Sequence, residues 1–97
     1  MPDEKKIEIK VRGEDLKGNY SNLMQIVHTK DEFILDFFLV SAPQGILNSR
    51  VIMSPGHLKR MANALQENVK KYEEKFGEIK MTELPRRKLG FTPGDSE

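Results

Sequence analysis

Hydrophobic and charged residues alternate strictly near the start of the chain. In the segment Ile7-Glu8-Ile9-Lys10-Val11 the apolar side chains fall on one face and the charged side chains on the other, which is the pattern of a β-strand with one solvated side. Residues 13–18 then carry two glycines among charged residues, which favours a connecting loop. The pattern therefore predicts a first strand over residues 7–11.

Three further strands are predicted by the apolar pattern that follows. Tyr20–His28 and Glu32–Val40 flank a short polar link, which is typical of a hairpin. Both faces of the second of these segments are apolar, and Asp36 is the one interruption. After a predicted loop at Ser41–Gly45, the segment Leu47–Met53 is predicted to form the last strand.

A long helix is predicted to begin at Ser54-Pro55, because serine can cap free helix amides and proline fits the first helical position. Apolar residues then recur at spacings of 4, 3, 4, 3 and 4, and we call this set the helix stripe: Leu58, Ala62, Leu65, Val69, Tyr72 and Phe76. This spacing places one apolar stripe along the helix. Gly77 lies where a helix-terminating glycine is expected.

These elements predict one α+β domain over residues 1–78. Its expected architecture is a four-stranded antiparallel β-meander followed by one long C-terminal α-helix packed on one sheet face. Residues 79–97 contain two prolines, two glycines and many polar residues, so we expect a flexible C-terminal tail.

The predicted sheet has apolar residues on both faces, and a single helix covers one of them. An uncovered second face would be an apolar patch of the size that usually marks an interface. We therefore expect a homo-oligomer, with a dimer as the first hypothesis. The alternative is that the N-terminal strand or the tail folds over this face. The residues expected at the oligomer or partner interface are Ile34, Asp36, Phe38, Val40, Arg50 and Ile52.

Composition and charge narrow the classes of function. The chain has 97 residues, no cysteine and a net charge of +1, so thiolate metal sites and cysteine nucleophiles are excluded and no global field attracts a polyanion. The sequence shows no apolar signal core, and its longest apolar run, Phe37–Val40, is far too short to cross a bilayer. We expect a cytoplasmic protein with no membrane partner.

Two places in the sequence carry candidate chemistry. Asp36 lies between apolar neighbours on its strand face, and Arg50 is its natural partner, so the pair is interpreted as a structural or interfacial ion pair rather than a catalytic acid. The predicted helix start could also hold an anion, although an ordinary cap explains the same residues. The residues of this candidate anion site are Ser54, Gly56, His57 and Arg60.

Other candidates are weaker. His28 near Asp31 and Glu32 is too common an arrangement to indicate a metal site, and a solvent-facing histidine is the preferred interpretation. Basic residues near the N-terminus and at 86–88 could contact nucleic acid, although neighbouring acidic residues cancel the charge at the N-terminus. No phosphate-binding motif or nucleophile elbow occurs. The sequence therefore predicts no catalytic residue, no metal ligand and no cofactor.

A set of residues over positions 7–78 resembles a family of small bacterial and archaeal proteins, the domain-of-unknown-function family numbered 3467. The matching residues are Gly18-Asn19-Tyr20-Ser21-Asn22-Leu23, His28, Glu32-Phe33, Leu35-Asp36-Phe37, Arg50-Val51-Ile52-Met53-Ser54-Pro55, His57, Lys59-Arg60, Ala64-Leu65-Gln66-Glu67-Asn68 and Lys71-Tyr72-Glu73. The resemblance implies a small cytoplasmic domain and transfers no activity, cofactor or catalytic residue.

The expected topology also resembles that of the export chaperone SecB, whose subunits form dimers and tetramers and hold unfolded chains in apolar grooves. No sequence motif supports this likeness, so it is an analogy of fold only.

The leading hypothesis from the sequence is a non-enzymatic, homo-oligomeric protein-interaction or scaffold domain with an unknown protein partner. One alternative is a nucleic-acid-associated regulator, and another is a SecB-like holdase. A third is a small-molecule enzyme with a site between subunits around Asp36, Arg50 and His57.

Overall fold

The computed structural model describes residues 6–82 of the chain. The fold is α+β, with a three-stranded antiparallel sheet followed by one helix. The elements are a short 3₁₀ helix at Gly13–Lys17, β1 at Leu23–His28, β2 at Phe33–Ser41, β3 at Gln44–Met53 and α1 at Pro55–Phe76. The strands are ordered β1-β2-β3, so β2 is central and the other two are edge strands.

The predicted first strand at residues 7–11 is wrong for this structure. These residues belong to no strand, and no described residue forms a backbone hydrogen bond with them. Alternation describes which side chains share a face, but a strand also requires a neighbour for its backbone groups. The sheet therefore has three strands in the described part of the chain, and the analogy with SecB loses the fourth strand on which it depended.

The strand boundaries also differ from the prediction at the connections. The predicted loop at Ser41–Gly45 is reduced to the two residues Ala42 and Pro43, which are joined by a cis peptide bond. Gly45 suits this tight connection, because a Cβ there would lie 3.2 Å from Cγ2 of Val40. The predicted loop at residues 13–18 contains the 3₁₀ helix Gly13–Lys17, which is followed by Gly18 with a φ of 73°.

The link between β1 and β2 forms the turn that the sequence predicts. The Thr29 amide donates to the Glu32 carbonyl at 2.9 Å. Oγ1 of Thr29 accepts hydrogen bonds from the amides of Asp31 and Glu32, each at 3.2 Å. A threonine side chain that satisfies backbone amides in this way stabilises a turn without further packing.

The buried core of the described residues is small and lies on β2. Leu35 and Phe38 are the two hydrophobic residues classed as buried, at 2% and 8% exposure. Because one has an odd and the other an even position in the strand, their side chains lie on opposite faces of the sheet. The central strand therefore needs cover on both faces, as its sequence indicates.

The helix begins and ends where the sequence predicts. Ser54 is its N-cap and Pro55 its first residue. Gly77, with a φ of 100°, follows the last helical residue, and its amide donates to the Glu73 carbonyl at 2.9 Å. Just beyond this end, Oε2 of Glu73 accepts a hydrogen bond from the Ile79 amide at 3.0 Å.

The described chain divides into two compact units. One contains residues 6–28 and 34–52, and the other contains residues 29–33 and 53–82. The predicted tail begins at residue 79, and its positions from 83 onward lie outside the described residues. None of the described helices is long and apolar enough to cross a membrane.

The burial of Leu35 gives a test of the core. We expect Leu35→Ala to lower the free energy of unfolding by about 2–5 kcal/mol, because the substitution leaves a cavity at a buried side chain. Leu39 on the same strand is a matched control, since at 36% exposure it is already partly in water. Urea unfolding of both variants measures the difference, and an equal loss of stability in the two would contradict this assignment of the core.

Candidate functional site

The predicted pair of Asp36 and Arg50 forms across β2 and β3. Nε of Arg50 donates to Oδ1 of Asp36 at 2.7 Å, and Nη2 donates to Oδ2 at 2.8 Å. The carboxylate side chain is 14% exposed and the guanidinium side chain 56% exposed. This two-pronged geometry satisfies both oxygens of the carboxylate and is the strongest form of such a contact.

The electrostatics of the pair keep Asp36 ionised and oppose a role for it as a general acid. Its hydrogen bond from Arg50 lowers the pKa of the carboxyl, partial burial raises it, and the charge of Arg50 lowers it further, so the pKa lies below the usual range for aspartate. The same hydrogen bond raises the pKa of Arg50. A general acid or base works best with a pKa near the working pH. The pair is therefore suited to holding two strands in register.

The remaining residues of the predicted interface are divided between the core and the surface. Phe38 is buried within the chain, and Ile34 and Val40 are half-buried on the same face of β2. Ile52 on β3 is exposed. The structure therefore brings Asp36 and Arg50 together, places Phe38 in the chain's own core, and leaves Ile52 with Arg50 accessible.

The predicted anion site at the helix start has the geometry of a cap. Oγ of Ser54 accepts a hydrogen bond from the His57 amide at 3.2 Å, and the Ser54 carbonyl accepts one from the Leu58 amide at 3.0 Å. Nη2 of Arg60 lies 3.1 Å from Nδ1 of His57. The serine hydroxyl thus already accepts a hydrogen bond from one of the amides that an anion would use. Gly56 lies in the first turn of the helix.

The structural importance of the segment before β1 was missed by the sequence analysis. The Asn22 side chain continues the pairing with β2, since its Nδ2 donates to the Val40 carbonyl at 2.9 Å and its Oδ1 accepts from the Val40 amide at 2.8 Å. Oγ of Ser21 lies 3.0 Å from the Phe38 carbonyl. Nδ2 of Asn48 on β3 donates to the Tyr20 carbonyl.

These bonds assign a folding role to residues that the family resemblance singled out. The carboxamide of Asn22 presents a donor and an acceptor as a peptide group does, so it can bond to a strand without being in one. In the sequence, these contacts are indicated only by the polar residues at 19–22, and a polar run does not identify the strand that it contacts. The segment Tyr20–Asn22 contacts both β2 and β3 and thereby crosses the sheet.

An open cleft of about 250 Å³ lies beside this crossing segment, and it is lined by Asn19, Ser21, Phe37, Asn48 and Ser49. Amides, hydroxyls and one aromatic ring can bind a polar molecule, but none of these side chains titrates near neutral pH.

Within residues 6–82, no group of three or more histidine, cysteine, aspartate or glutamate residues is placed to hold a metal ion. His28 is exposed at the end of β1.

Comparison with known proteins places the chain in a family. The sequence model of the family described as "Protein of unknown function (DUF3467)" matches residues 1–81, and the chain belongs to that family. This confirms the resemblance seen in the sequence. No curated protein and no solved structure is significantly similar to the chain.

The low pKa of Asp36 predicts a pH dependence of stability. The folded-state pKa is depressed, so the contribution of the ion pair is present above the unfolded-state pKa of about 3.9 and is lost as the pH falls through the lower folded value. We expect the stability difference between the wild type and Asp36→Asn to be constant above about pH 5 and to shrink toward pH 2. Urea midpoints at a series of pH values measure this difference, and parallel profiles would contradict the prediction.

The cap predicts a second effect at the helix start. We expect Ser54→Ala to lower the free energy of unfolding by about 1 kcal/mol, because the His57 amide loses its partner. Ser54→Asp keeps an acceptor at the cap and should retain most of the stability. Chemical unfolding followed by far-UV circular dichroism compares the variants, and a full loss in Ser54→Asp would show that capping is not the cause.

Proposed function

We propose that this member of the family is a non-enzymatic, homo-oligomeric protein-interaction domain, and that its basic assembly is a dimer of two copies of the chain. The observation that carries the proposal is the exposure of the helix stripe. Four of its large residues, Leu65, Val69, Tyr72 and Phe76, are between 46% and 65% exposed.

The geometry of the stripe supports helix packing against another apolar surface. Its spacings of 4, 3, 4, 3 and 4 average 3.6 residues, which is the period of an α-helix and keeps the stripe on one side of it. The rings of Tyr72 and Phe76 are 4.9 Å apart between centroids and extend the stripe to the last turn. Within the assembly we expect the helix to pack on one face of a sheet.

The energy available from covering the stripe is large for a chain of this size. Burial of a Leu, Val or Phe side chain contributes roughly 1.5–3 kcal/mol, and a whole small domain is stable by about 5–15 kcal/mol. The described core contains two buried hydrophobic residues. Assembly would therefore contribute a substantial part of the stability of the folded chain.

A second copy of the chain is the partner that the charge favours. The net charge is +1 over 97 residues, so two copies approach without strong repulsion. A symmetric dimer also buries the same apolar surface on both copies at once. The non-enzymatic part of the proposal is supported by Asp36, whose lowered pKa and bidentate partner suit a structural pair.

The proposal predicts that polar residues in the stripe weaken the dimer. We expect the double variant Leu65→Gln/Val69→Gln to raise the dimer dissociation constant at least about tenfold, which corresponds to about 1.4 kcal/mol and is less than the burial of one leucine provides. Glutamine is a good helix former, so the helix itself should remain. Light scattering coupled to size-exclusion chromatography over a concentration series measures the constant.

The matched control is Glu67→Gln/Lys70→Gln, which places two glutamines on the other side of the same helix. Both double variants leave the net charge unchanged. The control should dimerise like the wild type. A wild-type chain that stays monomeric at high micromolar concentration would refute the proposed function.

A further inference from the structure

The N-terminal arm, which we define as residues 7–11, has the sequence of a strand but no strand neighbour among residues 6–82. Its apolar residues Ile7, Ile9 and Val11 are 86%, 81% and 57% exposed. No described residue pairs with its backbone. Water can form hydrogen bonds with the peptide groups of such a segment, but the exposure of three β-branched side chains on one face to water is unfavourable in free energy.

The sheet offers two edges to which a strand can be added. Because the strand order is β1-β2-β3, the outer edges of β1 and β3 have no strand of the described part of the chain beside them. The β3 edge is ten residues long and β1 is six. Exposed edges are normally protected by charged residues or proline. β3 contains no proline, and its single charged residue, Arg50, is paired with Asp36.

The crossing segment brings the chain to the β3 side of the sheet. Two residues before β1 show the course of the chain. The Asn22 side chain bonds to Val40 of β2. Two positions earlier, the Tyr20 carbonyl bonds to Asn48 of β3. Eight residues, 12–19, separate Tyr20 from the arm, and they include the 3₁₀ helix. At Tyr20 the chain therefore lies beside β3, and this contact is the reason for choosing the β3 edge.

We infer that the N-terminal arm of one copy adds as a fourth strand to the outer edge of β3 in a second copy, reciprocally in the dimer. Pairing in this way supplies hydrogen-bond partners for backbone groups of the arm and of the β3 edge that no other described strand pairs. It also covers Ile7, Ile9 and Val11 with apolar residues from one face of β3, and each face offers an exposed pair: Leu47 with Val51, and Ile46 with Ile52. Reciprocal exchange closes a two-fold dimer and leaves neither arm unpaired.

This inference rests on the proposed homodimer and identifies one of its contacts. It also accounts for the strand that alternation predicts at residues 7–11 and that the described chain does not form. The strand is specified by the sequence, and its neighbour is supplied by the second copy.

The first experiment removes the apolar side of the arm. We expect Ile7→Thr/Ile9→Thr to raise the dimer dissociation constant at least about tenfold, because threonine keeps the strand propensity but loses the apolar contact. The matched control Glu8→Thr/Lys10→Thr places two threonines on the charged side and leaves the net charge unchanged, so it should bind like the wild type. Light scattering gives the constants, and hydrogen exchange should show slow amides at residues 7–11 in the wild type and the control but not in Ile7→Thr/Ile9→Thr.

The second experiment identifies the edge and the copy, and it uses the absence of native cysteine. A chain with Ile9→Cys is mixed with a chain carrying either Leu47→Cys on β3 or Val27→Cys on β1, two positions that are about equally exposed, and a short bismaleimide is added. We expect a covalent heterodimer with the β3 variant and little with the β1 variant. The double variant Ile9→Cys/Leu47→Cys should give covalent dimers.

Each other outcome has a defined meaning. If the wild type is a dimer but Ile7→Thr/Ile9→Thr dimerises as tightly, the arm inference is wrong and the proposed function stands. If the double cysteine variant gives a cross-linked monomer without covalent dimer, the arm pairs with its own sheet and the exchange between copies is refuted. If the wild type is monomeric, the proposed function and this inference both fail.

Discussion

The requirement to cover both faces of β2 governs the rest of this structure. Leu35 and Phe38 lie on opposite faces of the central strand, and both are buried. A chain of 97 residues has little apolar material with which to build two layers around one sheet. The chain therefore uses polar groups to hold the sheet together and has much of its apolar surface exposed.

The polar groups act at the points where a larger protein would use packing. Asn22 bonds to both backbone groups of Val40, so it extends the pairing of β2 beyond the end of β1. Arg50 and Asp36 hold β2 to β3 by two hydrogen bonds. Contacts of this kind specify geometry well, but their net contribution to stability is small because water competes for the same groups. The sheet is thus well defined by its hydrogen bonds and depends on apolar burial elsewhere for stability.

The sequence predicts features that depend on nearby residues and misses those that depend on a distant partner. The helix was correctly bounded because Ser54, Pro55 and Gly77 each act on the backbone within one turn. The pairing of Asp36 with Arg50 was predictable because a half-buried carboxylate requires a partner and one cation lay on the next strand. The contacts of Asn22 with Val40 were not predictable, since a carboxamide can bond to almost any free backbone group.

The N-terminal arm shows the same limit of prediction: its sequence pattern predicts a strand but does not identify a neighbouring strand. Alternation at Ile7, Ile9 and Val11 indicates that these residues share a face, and this remains true whether or not a neighbouring strand is present. Pairing is a property of two strands, so a pattern in one strand cannot name the other. Within residues 6–82, β1 and β3 are both edge strands of the sheet, so there are two edges to which such a strand can add. The pattern therefore indicates that residues 7–11 suit a strand, while the edge that pairs with them depends on a surface that the pattern does not describe.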